Sequence, residues 1–207
     1  MIAVIDYGVG NLGSVIKALK YIGAEVKLTG NPEIIREAGG VVLPGVGAFG
    51  EGMKNLRERG LEEVVRETSE EGKPLLGICL GLQLFASYSE EAPDVEGLGL
   101  IKGTVRRFDE NKVEKIPHMG WNQVKFTRED PLFASVRDES NFYFVHGYYV
   151  DPRNEDVVLG LTEYGDVKFT SVVARDNLWG IQCHPEKSSK IGLKVLKNYT
   201  RVVEAWK

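Results

Sequence analysis

The chain has 207 residues, 43% of them hydrophobic, with 26 basic against 30 acidic side chains and a formal net charge of -4. That length and apolar content suffice for one core, so a single domain over 1–207 is expected; with no dense Lys/Arg cluster to track a phosphate backbone, nucleic acid is a poor partner. The longest apolar stretch, "PLLGICLGLQLFA", is broken by Gln83 and falls short of the roughly 20 residues that span a bilayer; the N-terminus carries Asp6 in its apolar run and no basic leader, so no membrane association and a cytoplasmic location are expected.

In chain order, "IAVID" reads as a strand, followed by "YGVGNLG", in which Gly8, Gly10 and Gly13 have the spacing of a dinucleotide-binding turn. Ser14 is placed to cap a helix whose Val15, Ile16, Leu19 and Ile22 share a face, and "AEVKLT" is a second strand. A dinucleotide site usually ends that second strand with a carboxylate for the ribose hydroxyls, and "KLTGNP" has none. The triplet is therefore read as a tight strand-to-helix turn in which glycine permits positive φ, and no cofactor is expected. Asn31 and Pro32 start a helix by cap and first-turn chemistry, and "GGVVLP" is a third strand. After the glycine-rich "PGVGAFGEG", helical spacing runs over residues 53 to 71, and "PLLGI" is another short, nearly all-apolar strand.

Strands of this kind are buried on both faces, the mark of a parallel sheet covered by helices on each side. From about residue 103 the pattern changes to strands joined by turns such as "EYGD" and "ARDNLWG", and a last helix runs from about Ile191 to Trp206. The expected fold is α/β, a flavodoxin-like three-layer sandwich with a mostly parallel sheet and antiparallel additions in the C-terminal half.

The strongest chemical signal is "LLGICLGLQLF": a buried strand enters Gly77-Ile78-Cys79-Leu80-Gly81, the cysteine form of a nucleophile elbow. A sharp turn there projects the sulfur out of the sheet, small residues two positions either side leave room for it, and the next helix aims its N-terminal amides at a thiolate. A nucleophile needs a base, and a base needs an orienting group. His184 and Glu186, in "QCHPEKSS", project to one side of an extended segment, so the carboxylate can hold one imidazole nitrogen while the other faces Cys79. The same alternation turns Cys183 into the core; it is read as structural, with no disulfide between the two cysteines. In "LPGVGAFGEG", glycine-rich backbone at the end of a neighbouring strand can supply an oxyanion donor, worth roughly 3 to 4 kcal/mol each. One donor is the Leu80 amide and the other comes from the Val46 or Gly47 peptide.

Oxyanion loop, cysteine elbow and His-x-Glu, in this order, resemble the class I glutamine amidotransferases over nearly the whole chain. Within them, "DYGVGN", "PGVGAFGEGM", "IPHMGWN" (116–122), "YFVHGYY" (143–149) and "HPEKSSKIG" (184–192) are similar to the glutaminase subunits of imidazole glycerol phosphate synthase. The resemblance implies that Cys79 attacks the side-chain amide of L-glutamine, that His184 protonates the departing ammonia and then activates water, and that Glu186 orients His184. It implies a substrate pocket with Gln83, Glu91, Gly147 and Tyr148, no metal, and a separate (β/α)8-barrel cyclase subunit as heterodimer partner. Partner-facing residues are expected at Asn11, His118, Met119, Trp121, Asn122, His146 and Lys187, since Trp, Tyr and a central charge anchor interfaces. Gly45 and Gly47 flank a peptide whose turning would let the partner switch the site on. A glutaminase serving another synthase, a free-standing Cys-His hydrolase and a non-catalytic flavodoxin-like binding module are the alternatives.

Overall fold

The computed structural model describes residues 1–10 and 12–206; Asn11, one of the expected partner contacts, lies outside the described residues. In chain order the elements are β1 (Ile2–Ile5), α1 (Leu12–Tyr21), β2 (Val26–Thr29), α2 (Pro32–Glu37), β3 (Gly40–Gly45), α3 (Phe49–Glu58), α4 (Leu61–Glu70), β4 (Leu75–Cys79), α5 (Leu80–Leu84) and β5 (Ala86–Ser89). There follow β6 (Ile101–Arg107), β7 (His118–Phe126), β8 (Ser140–His146), β9 (Tyr148–Pro152), β10 (Val158–Tyr164), β11 (Val167–Arg175), β12 (Leu178–Ile181) and α6 (Ser189–Ala205).

They build a twelve-stranded sheet in which nine strands run in the order β2-β1-β3-β4-β12-β11-β10-β7-β8 and the other three, β5, β6 and β9, branch from it where β9 pairs with β11. The strands from β2 to β12 pair in parallel, and β12 hands over to the antiparallel β11, β10, β7 and β8. Every residue of β1, β3 and β4 is buried, as their unbroken apolar runs require of strands covered on both faces. Alternation along β1 sends Ile2 and Val4 into one core with Val15 and Leu19 of α1 and Val195, Leu196 and Tyr199 of α6. Ala3 and Ile5 enter the other, with Ile35 of α2, Met53 and Leu56 of α3 and Val64 and Val65 of α4. This is the expected three-layer sandwich.

Three boundaries differ from the sequence reading. The stretch read as one helix over 53 to 71 is two, because Gly60 takes a left-handed φ of 65° and starts α4 on a new axis. The first helix begins at Leu12, ahead of Ser14, and the last begins at Ser189 rather than about Ile191. Asn31 does cap α2, its Oδ1 accepting from Glu33 N at 2.9 Å. The hairpin turns fall where "EYGD" and "ARDNLWG" put them, with Tyr164 opposite Val167 and Arg175 opposite Leu178.

Candidate active site

Cys79 closes β4 with φ 54° and ψ −106°, a conformation that costs a side-chain-bearing residue strain and that faces its sulfur away from the strand. The flanking glycines make it possible. A Cβ on Gly77 would lie 2.8 Å from the Gly81 backbone, and one on Gly81 would overlap the Leu43 carbonyl oxygen. The helix that follows, α5, has only 5 residues before the chain re-enters a strand, so the apolar run after the elbow is less helical than its composition suggests.

Register brings the other parts to the cysteine. Gly45 pairs with Cys79 and Ile181 with Ile78, so the loops leaving β3 and β12 flank the sulfur. Gly47 has φ 122°, and Gly10, at φ 93°, packs so that a Cβ on it would be 2.9 Å from Val46 N. The N-terminal glycine turn is thus a support for the expected oxyanion loop. Tyr7, fully buried, brings its hydroxyl against Gly45.

His184 Nδ1 and Glu186 Oε1 are 2.8 Å apart with both side chains almost fully buried. The pairing is as expected but its backbone is not: Pro185–Lys187 form a short 3-10 turn, and it is this tightening, rather than extended alternation, that folds the carboxylate onto the ring. The turn is tied to β8, since His184 N donates to Tyr143 O at 2.8 Å and Tyr143 N to Ser188 Oγ at 2.9 Å. Burial opposes the charged imidazole, yet Cys79 on one side and Glu186 on the other outweigh it and carry the His184 pKa up to about 10. Cys183 is buried and unbridged, and burial pushes its thiol up, which suits a core residue.

A small gap adjoins the His184–Glu186 pair. A cavity of about 10 Å³, lined by Val15, Pro44, Gly45, Val46, Ile78, His184 and Glu186, lies beside them, and Cys79 is 6% exposed. A volume of that size holds on the order of one water. The Val145 carbonyl oxygen, 4.0 Å from Cys79 Sγ, marks the segment that runs through Gly147 to Tyr148 over the sulfur.

Of the expected substrate residues, Gln83 is buried one turn beyond Cys79, with Nε2 donating to Tyr148 O at 3.0 Å and to Gln182 Oε1 at 3.2 Å. Glu91 reaches the start of α3, where its Oε2 accepts from Phe49 N at 2.7 Å and supplies the cap that Ala48 cannot. It thereby anchors the helix that follows the glycine-rich loop.

The expected partner residues divide by the pleat of β7. Met119 and Trp121 are 63% and 55% exposed, and Tyr143, opposite Trp121 on β8, stacks edge-on to it at 6.1 Å with Lys187 Nζ 6.0 Å from the Tyr143 ring. His118 and Asn122 point the other way. His118 and His146 are buried at 3% and 5% exposure, so the expectation that they touch a partner is corrected: alternation turns them into the protein. Burial holds both rings neutral, lowering His118 to about 4 and His146 to about 3. Gln182, which the sequence reading passed over, donates from Nε2 to Cys79 Sγ at 3.6 Å. Only the pairing of β12 with β4 puts it there. Among the described residues no group of three or more His, Cys, Asp or Glu side chains is placed to hold a metal ion.

Fold and site together define an α/β hydrolytic protein that presents a cysteine at a strand-to-helix elbow beside a His–Glu pair. The family model described as glutamine amidotransferase class-I matches residues 3–201, and the chain belongs to that family. A Moorella thermoacetica protein named imidazole glycerol phosphate synthase subunit HisH is 54% identical over 98% of this chain and 95% of its own length. A Bacillus cereus protein of the same name is 52% identical over 100% of this chain and 97% of its own. Among solved structures, one described as a glutamine amidotransferase superposes with TM-score 0.76 at 21% identity, covering 99% of this chain and 100% of that one, which bears on the fold alone.

Proposed function

We propose that this chain is the glutaminase subunit of an imidazole glycerol phosphate synthase, with the whole chain acting as one glutaminase domain. The observation that carries the reading is the strained Cys79 beside the buried His184–Glu186 pair, in a chain more than half identical to relatives of that name. In the mechanism this geometry supports, the Cys79 thiolate attacks the side-chain amide carbon of glutamine. Charge passes to the amide oxygen, received by the Leu80 amide and the Val46 or Gly47 peptide. His184, protonated and held by Glu186, gives its proton to the departing nitrogen, so ammonia leaves and a glutamyl thioester remains. The neutral ring then takes a proton from water, whose oxygen attacks the thioester carbon; glutamate is released and the thiolate restored.

Gln83, Glu91, Gly147 and Tyr148 are the pocket residues in this proposal. As a subunit, the chain works with a partner, which we take to be a (β/α)8-barrel cyclase bound over the exposed Met119, Trp121 and Lys187, joined as a heterodimer that receives the ammonia directly. Cys79 is 6% exposed and the Val145 carbonyl oxygen lies 4.0 Å from its sulfur, so access of glutamine to the sulfur depends on the Val145–Tyr148 segment, which favours partner-gated over autonomous activity. Unbridged cysteines, which a nucleophilic Cys79 requires, fit a reducing cytoplasmic setting, and among the described residues no helix is long and apolar enough to cross a membrane.

Glutamate release by the purified chain, alone and then mixed with a cyclase subunit and its nucleotide ligand, tests the proposal. Low activity alone, a strong rise in the mixture and its loss in Cys79→Ala are expected. Full activity alone with no response to the cyclase would replace it with an autonomous glutaminase.

A further inference from the structure

Gln182 follows β12 and is fully buried, with Nε2 turned to the Cys79 sulfur. A side-chain amide can present either end to a neighbour, and here the neighbours decide. Gln83 Nε2 donates to Gln182 Oε1, which leaves the NH2 end of Gln182 as the one that faces the sulfur. Gln83 is held in turn by its bond to Tyr148 O, and that carbonyl also accepts from His146 Nδ1 at 2.8 Å. A ring nitrogen facing a carbonyl must carry the hydrogen, so Nε2 of the neutral His146 accepts. His118 Nδ1, 2.9 Å away, is then the donor, and His118 Nε2 accepts from Asn122 Nδ2 at 3.2 Å. Every member from Asn122 to Cys79 has one permitted orientation, and reversing the Gln182 amide would set oxygen against sulfur and NH2 against NH2.

We propose that Gln182 is a positioning residue for the nucleophile: its amide, oriented by Gln83, donates to the Cys79 sulfur, holds it beside His184 and favours negative charge on it. A donor fixed by its surroundings cannot reorient as the sulfur loses its proton, so the thiolate meets a preorganised partner where a mobile side chain would have to be ordered first. When the sulfur bonds to carbon its charge passes to the oxyanion and this contact weakens; hydrolysis of the thioester restores it. The inference rests on Cys79 being the nucleophile of the proposed reaction.

The test reads the sulfur itself. The full chain as wild type, Gln182→Leu and Gln182→Glu is treated with iodoacetamide from about pH 6 to about pH 9, the range in which thiolate fractions change, and labelling of Cys79 is followed by mass spectrometry. Gln182→Glu keeps an acceptor for Gln83 and loses the donor, so it serves even if the apolar variant folds poorly. Both variants are expected to label about tenfold more slowly near neutral pH, with the pH profile displaced upward by about one unit, and to lower kcat for glutamine more than they raise KM. Profiles superimposable on wild type would overturn the role of Gln182 while leaving a reactive Cys79 and the proposed function in place. A wild-type Cys79 that labels no faster than either variant at any pH and releases no glutamate with the cyclase would remove both.

Discussion

Gly81 of α5 lies so close to Leu43 of β3 that a methyl group on it would occupy the space of the Leu43 carbonyl oxygen. The contact is backbone on backbone, so no side chain can turn aside to relieve it. Gly81→Ala must separate the elbow from the neighbouring strand, and a loss of about 3 kcal/mol or more in unfolding free energy is expected, at the upper end of overpacking costs. Urea unfolding measures it; a midpoint equal to wild type would show that β3 and α5 yield more easily than their packing implies.

The pH dependence of stability follows from His184. Its folded pKa, about 10, lies above its ordinary 6.5, so the native state holds a proton that the unfolded chain gives up. Stability from this group is present in full below about 6.5 and is lost as pH rises through about 10. Glu186→Gln keeps a hydrogen-bond acceptor and removes one of the two charges that sustain the imidazolium. Wild type is expected to lose stability more steeply than the variant as pH rises over this interval. Parallel curves in denaturation at several pH values would count against a charged His184–Glu186 pair.

Much of this architecture can be read from the chain because local and tertiary demands coincide there. The apolar runs of β1, β3 and β4 are buried on both faces, and Gly77 and Gly81 bracket Cys79 because nothing larger fits. His-Pro-Glu also points to its pairing, although by a 3-10 turn in place of an extended segment. What escapes the linear reading depends on partners distant in sequence. Gly60 looks like one more residue in a helical stretch until its left-handed φ separates α3 from α4. His118 and Trp121 are close in sequence, and only the pairing of β7 with β8 and β10 decides which face is covered and therefore which of the two is exposed. Gln182 is one polar residue in a strand-like segment until the parallel register of β12 and β4 sets it against the sulfur.

Tyr7 carries a buried hydroxyl that has no hydrogen-bond partner among the described residues. Its ring fills the core beside Gly45, at the end of β3, but its oxygen has left water without compensation, a cost that removal of the oxygen relieves. Tyr7→Phe keeps the ring and is expected to raise stability by about 1 kcal/mol. A thermal melt compares the two; a variant less stable than wild type would mean that the hydroxyl finds a partner in solution.

Trp121 offers the sharpest test of the partner surface. Its side chain is 55% exposed, so little of the fold depends on it, whereas a large aromatic beside Tyr143 offers a partner a wide apolar face to cover. Lys187 extends the same patch, and its neighbour Glu186 is bonded to His184, so a partner that clamps Lys187 acts one residue from the proposed catalytic pair. Trp121→Ala is expected to weaken cyclase binding by at least about thirtyfold, near 2 kcal/mol, with unfolding free energy changed by less than about 1 kcal/mol. Lys187→Ala is expected to reduce the response of glutamate release to the cyclase more than it reduces binding. Titration calorimetry and the coupled glutaminase assay separate these effects, because a patch that only stabilises the free chain would alter the melt and leave both binding and coupling as they are.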